Sequence, residues 1–191
     1  MSRRYRRQKD IACYGFVAVA CLVLFAVPAF SQGDTYQNEE FGFHITGPGG
    51  WIQTKGKPGQ KYLVKYTQAV QEALPTTIGV TRDDIANHPE IKTPLEFSET
   101  VLSIWQSKTS IRIIEPPRAI ILASLTGSLF TFEQARAQRG TGELTIARTS
   151  YYQFLKNRKV LSVVVVLNAQ NVERDQLAIQ TCIQSVKFLG E

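Results

Sequence analysis

Cysteine is nearly missing from the part of this 191-residue chain that can fold into a domain. Of three cysteines, Cys13 and Cys21 lie in an N-terminal targeting segment, and only Cys182 remains beyond it. A lone cysteine makes no internal disulfide, and no Cys-x-x-Cys pair is present. Cys182 falls in an apolar helical pattern, where a buried small hydrophobe is the expected state. Histidine is equally sparse, with His44 and His88 alone. A serine–histidine hydrolase would have to use one of these two, and no partner serine suggests itself. The chain also lacks Gly-x-Ser-x-Gly, His-Glu-x-x-His and Gly-x-x-x-x-Gly-Lys, which removes the common nucleophile elbow, zinc protease and phosphate-loop signatures. His88 sits among Asp83, Asp84 and Glu90, residue types that hold divalent cations. Their spacing fits no known cage, so a solvated acidic loop is expected. The sequence therefore assigns no catalytic residue, no cofactor and no metal, and points away from an enzyme.

A basic domain is missing too, although the formal charge is +6 and the pI 9.3. Arg3, Arg4, Arg6, Arg7 and Lys9 supply most of the excess. Removing residues 1–31 leaves 17 bases against 15 acids, about +2. The folded part has no electrostatic footprint for nucleic acid.

Residues 1–31 have the layout of a secretory signal peptide or an N-terminal membrane anchor. A basic start is followed by an apolar run from Ile11 to Val27 and then Pro28-Ala29-Phe30-Ser31. Small side chains three and one residues before the cut suit cleavage after Ala29 or after Ser31. Retention would make residues 11–27 the one contact with a membrane, at a length marginal for a span of about 20 residues. Ser2-Arg3-Arg4 begins like a twin-arginine signal, but Arg6 and Arg7 stand where apolar residues belong, so ordinary export is expected.

Residues 32–38 are polar and read as a linker into a single domain over 39–191. Within it, Phe41 to Ile45, Lys61 to Gln68 and Thr76 to Val80 alternate as strands. Trp51 follows the Gly47-Pro48-Gly49-Gly50 turn and is expected to anchor the chain in the core. Arg82 to Lys92 reads as an exposed connection. Thr93-Pro94-Leu95-Glu96 is a helix start with a capping box, and Phe97, Val101, Ile104 and Trp105 form its apolar face. Pro116-Pro117 is expected to separate a short strand, Ile111 to Ile114, from another at Ala119 to Leu125. Leu129 to Gln138 and Glu143 to Leu155 form a hairpin around Arg139-Gly140-Thr141-Gly142. Val160 to Leu167 is a β-branched run apolar on both faces, the mark of an interior strand. Asn171 is expected to cap a last helix with Val172, Gln176, Ile179, Ile183 and Val186 as its stripe, widened by Leu177. The pattern is α+β, an antiparallel β-sheet flanked by helices.

With these residues placed, the chain resembles the PsbP family and its exported bacterial relatives. The resemblance rests on Tyr36 with Phe41-Gly42-Phe43-His44-Ile45 leading to Gly50-Trp51, the capped helix from Thr93, the meander through Tyr151-Tyr152, and the closing Ser185-Val186-Lys187-Phe188. It implies an α/β/α sandwich. For function it implies protein binding: extrinsic photosystem II subunits that retain calcium and chloride, a binder of the small GTPase Ran, and many exported bacterial proteins without assigned activity. The expected role is an exported, non-enzymatic binding or accessory protein of the bacterial cell envelope, periplasmic or secreted or held by its anchor, whose partner is another envelope protein. The alternatives are an envelope hydrolase of undetected type, or a photosystem II subunit if the source is an oxygenic phototroph. The expected partner surface is one sheet face carrying Arg136, Gln138, Arg148 and Tyr152, since Arg and Tyr are common interface anchors.

Overall fold

The computed structural model describes residues 32–57, 59–122, 124–137 and 142–189. The leading segment with Ala29 and Ser31 lies outside these, as does Gln138. The long apolar run near the C-terminus dictates the architecture. It forms β9 (Lys159–Asn168), the middle strand of a seven-stranded antiparallel sheet. The order is β3 (Ile52–Lys55), β4 (Tyr62–Thr67), β5 (Thr77–Asp84), β9, β8 (Leu144–Lys156), β7 (Leu125–Ala137) and β6 (Arg112–Leu122). A smaller antiparallel sheet orders β1 (Gln32–Asn38), β2 (Phe43–Pro48) and β10 (Lys187–Phe188). Helix α1 (Pro94–Lys108) packs on one face of the large sheet, against Phe130, Phe132 and Tyr151. Helix α2 (Val172–Gln184) and the small sheet cover the other face, burying Phe43, Ile45, Val163, Val165, Ile179 and Ile183 together. The α+β expectation holds, with one helical layer shared by a second sheet. Cys182 is buried at 1% exposure, and burial pushes its thiol up to about 12.

Residues 32–38, expected as a linker, form β1. Their polar sequence hides a strand because it lies at a sheet edge, where solvated side chains are the rule. Tyr36 pairs with Ile45 and packs its ring 6.0 Å from Phe43, and the Thr35 and Thr46 hydroxyls lie 2.9 Å apart. Pro116-Pro117 does not separate two strands. β6 runs through both prolines, with a register shift between Glu115 and Arg118, because an outer strand needs donors on one side only. The connection from Arg82 to Lys92 is not simply exposed either. β5 continues to Asp84, and Ile85 and Ile91 are buried with Phe97. Arg158 holds this loop, its guanidinium donating to the carbonyls of Ile85, His88 and Ile91 at 2.6–2.7 Å. It can do so because Asn157 and Arg158 form a two-residue left-handed turn (φ 51° and 62°), the geometry that matches the twist of β8 and β9.

The capping box of α1 forms as the sequence requires. Glu96 N–H donates to the Thr93 hydroxyl, and the Glu96 carboxylate accepts from Thr93 N–H. The buried face is Phe97, Ser98 and Leu102, while Ile104 is 45% exposed. The helix is turned by Ser98, whose hydroxyl donates to Gln153 at 2.5 Å and lies 2.5 Å from the Ser128 hydroxyl. Gln153 donates onward to Ser162 on β9. A polar ladder under the helix thus overrides its apolar periodicity. In α2 the same thing happens. Asp175 is buried while Gln176 and Leu177 are exposed, because Asp175 accepts from Thr76, Gln68 and Arg174. Asn171 does not cap α2 through its side chain. Its amide donates to Glu72, and Asn168 caps the preceding 3₁₀ turn instead.

The rotation of α1 makes a sharp expectation. Leu102→Ala should cost about 2–5 kcal/mol, the range for emptying a core site. Ile104→Ala should stay within about 0.5 kcal/mol, as a surface change does. Urea unfolding of the two variants measures the difference, and equal losses would place Ile104 in the core.

Candidate functional site

β7 and β8 pair without a break from Ala137–Leu144 to Gly127–Phe154. Directly opposed residues of an antiparallel pair lie on one face, and the face alternates along each strand. Arg148 stands opposite Glu133, Ser150 opposite Thr131 and Tyr152 opposite Leu129, all on the α2 side. Arg136 stands opposite Thr145 and is out of phase with them. It lies on the α1 side, so the expected surface keeps Arg148 and Tyr152 and loses Arg136. Gln138 lies outside the described residues.

Arg148 is held before any partner arrives. Its Nε and Nη2 donate to one oxygen of Glu133 at 2.9 and 2.7 Å, and Arg112 Nη2 donates to the other at 2.5 Å. Glu133 is 5% exposed and would be costly there alone. Burial by itself would raise its pKa. The hydrogen bonds from Arg112 and Arg148 outweigh that and keep the carboxyl below its ordinary 4.5. Beside Arg148, Tyr152 is half-buried against the main core, and burial raises its hydroxyl pKa. The two side chains line a groove of about 280 Å³, walled by Ile114 and Glu115 of β6 and by Gln176 and Ile179 of α2.

Past the groove the same face becomes apolar and open. Leu144 and Ile146 are 69% and 44% exposed, opposite the small Ala137 and Ala135. Ile114 on the groove wall is 39% exposed. A fixed guanidinium, a tyrosine and an uncovered aliphatic strip therefore adjoin on one sheet face. Arginine, tyrosine and aliphatic residues are the types that meet partners at interface cores.

The histidines do not join it. His44 faces away from the buried Phe43 and Ile45, as its strand alternation requires. His88 is exposed, with Nδ1 3.1 Å from the Glu90 carboxylate. Neither has a serine among its hydrogen-bond partners within the described residues. No three His, Cys, Asp or Glu side chains converge there as metal ligands.

Glu133 is the residue that the sequence reading overlooks, although a signal for it exists. A hairpin centred on the Arg139-Gly140-Thr141-Gly142 turn pairs residues whose numbers sum to about 281. That sum sets Glu133 against Arg148 and places Arg136 on the other face.

No family model and no curated protein matches this chain. Solved structures do. CyanoP, the PsbP protein of Synechocystis, aligns with a TM-score of 0.53 over 85% of this chain and 95% of its own, at 13% identity. LpqN, involved in cell envelope biogenesis of Mycobacterium tuberculosis, aligns at 0.53 over 82% and 85%, with 10% identity. A Pseudomonas aeruginosa protein of unknown function aligns at 0.50 over 80% and 94%, with 12% identity. The fold of this chain is PsbP-like, and at such identities the likeness speaks for fold alone.

Glu133 links this site to acid stability. Its folded pKa is depressed, so its contribution is complete above pH 4.5 and fades as pH falls through the lower folded value. Glu133→Gln should cost about 1–3 kcal/mol at pH 7. It should also flatten the loss of stability below pH 4.5, read from thermal melts at pH 3–7. A variant that kept the wild-type acid slope would show that Glu133 is not the linked group.

Proposed function

We propose that this chain is an exported accessory protein of the cell envelope that binds another envelope protein and performs no catalysis. Residues 1–31 direct export, and the domain that follows works on the outer side of the cytoplasmic membrane, cleaved or held by residues 11–27. Two observations favour this address. The leading segment holds the long apolar run, and among the described residues no helix is long and apolar enough to cross a membrane. LpqN, a neighbour in fold, is involved in envelope biogenesis.

The observation that carries the binding role is the open strip of Leu144 and Ile146 running into the Arg148–Tyr152 groove. Arg148 is pre-ordered by Glu133, so docking spends little side-chain entropy on it. Tyr152 offers a wide apolar ring with a polar tip, and Ile146 offers area that the fold leaves in water. The partner is a protein segment with an apolar patch and a carboxylate or carbonyl to face Arg148.

Two measurements test the proposal. N-terminal sequencing of the protein recovered from its native host should begin at Phe30 or Gln32 if the segment is cut, and the intact chain should fractionate with the membrane if it is not. Recovery of the intact chain in the cytosol would refute export. For the surface, Ile146→Asp and the pair Arg148→Ala plus Tyr152→Ala should each weaken capture of the partner at least tenfold, about 1.4 kcal/mol. Arg136→Ala, on the opposite face, should leave capture unchanged. Equal effects of the Arg136 and Arg148 variants would move the interface elsewhere.

A further inference from the structure

We infer that the opposite flank of α2 forms a binding site for a small organic carboxylate, with its anionic end at Lys187 and His44. A cleft of about 510 Å³ lies between α2 and the β2 strand with its following turn. Small residues keep it open. Ala178 and Thr181 face it from the helix, and the backbone of Gly47 lines it near the end of β2. On the core side of β2, Gly47 packs against the buried Tyr66 ring, which a Cβ would meet at 2.2 Å, so the strand is held close to the core there. The walls are fixed to each other at one end, where Thr46 N–H donates to the Ser185 hydroxyl at 2.8 Å. Trp51 and Pro48 supply apolar surface.

The hydrogen bonds already made show what the cleft can still bind. The acceptors at its Asp175 end are spent. Both oxygens of Asp175 accept from Thr76, Gln68 and Arg174, and Gln68 Oε1 accepts from Arg174. Arg174 is spent as well, its fork divided among Asp175, Gln68 and Glu72. Among the described residues, four lining groups make no hydrogen bond: the Lys187 ammonium, the His44 ring, the Trp51 indole N–H and the Gln184 amide. Their free capacity is mostly donors. Lys187 stands directly opposite His44 across the strand pair, so the two side chains share one side. Along α2, Asp175 and Arg174 lie ten and eleven residues before Ser185, about 15–16 Å from it at 1.5 Å per residue. The negative charges of that cluster are thus kept at the far end, and at the near end the full charge of the Lys187 ammonium outweighs the partial negative charge of the α2 C-terminus.

Size decides between a bare ion and a molecule. The cleft is many times the roughly 30 Å³ share of one water, so a simple anion would leave it mostly empty. A carboxylate with an acceptor-bearing body of dipeptide or amino-sugar size fills it, its apolar side against Trp51. The site is separate from the Arg148–Tyr152 groove and does not depend on a protein partner.

The test uses the purified protein with ¹⁵N-labelled tryptophan indoles, with Trp51 assigned by Trp51→Phe. Two carboxylates serve as probes, N-acetylmuramic acid and N-acetyl-Ala-Ala, each beside a neutral counterpart, N-acetylglucosamine and the dipeptide amide. At least one carboxylate should shift the Trp51 indole signal saturably below 10 mM, and its neutral counterpart should bind at least tenfold more weakly. Lys187→Met should lose about tenfold in affinity with an unchanged melting temperature, since the side chain is exposed and its stem is retained. Absence of saturation with both carboxylates would overturn the proposal. So would equal binding of the neutral counterparts, or unchanged affinity in a folded Lys187→Met.

Discussion

A strand with no polar face cannot lie on a protein surface, and β9 is such a strand. Leu161, Val163, Val165 and Leu167 point to one side, and Val160, Ser162, Val164 and Val166 to the other. Each buried valine or leucine gains about 1.5–3 kcal/mol over exposure, so the chain must supply cover on both sides. On one side that cover is α2 with the small sheet; on the other, α1 and the loop through Ile85 and Ile91 cover part of the surface. Both edges of β9 are also spoken for, by β5 and β8 along nearly its whole length. The three-layer arrangement follows from this one element.

Apolar pressure alone leaves a helix free to roll on a sheet. In both helices a buried polar contact fixes the roll. Ser98 meets Ser128 and Gln153 under α1, and Asp175 meets Thr76 under α2. Turning α2 about Asp175 leaves two unlike flanks. One borders a groove beside a fixed arginine and open aliphatic residues; the other borders a cleft with spare donors. A fold with few reactive residues thereby presents two different surfaces from one helix.

The sequence was legible where backbone chemistry is local. The Thr93–Glu96 capping box and the central strand are each decided within a few residues, and each forms. Fold class followed from them. It was misleading where tertiary contacts outvote a pattern. Ile104 and Leu177 continue an apolar stripe and are nevertheless exposed, because serine and aspartate have partners that no local rule announces. β1 and the proline pair in β6 were missed because edge strands do not look like strands. For the site, Arg148 and Tyr152 were placed together by alternation, but Arg136 needed the register, and Glu133 was visible only through it.

The neighbours of β9 come from different parts of the chain, and this sets an order of assembly. β6, β7, β8 and β9 are consecutive, with 2 to 6 residues between one and the next, so their pairing closes small loops and can proceed early. β5 must instead find β9 across some 80 residues, and β1 and β2 await α2 and β10 at the extreme end of the chain. The amino-terminal half can pair its own strands, β1 with β2 and β3 with β4 and β5, but their apolar side is buried only once β9 and α2 are in place.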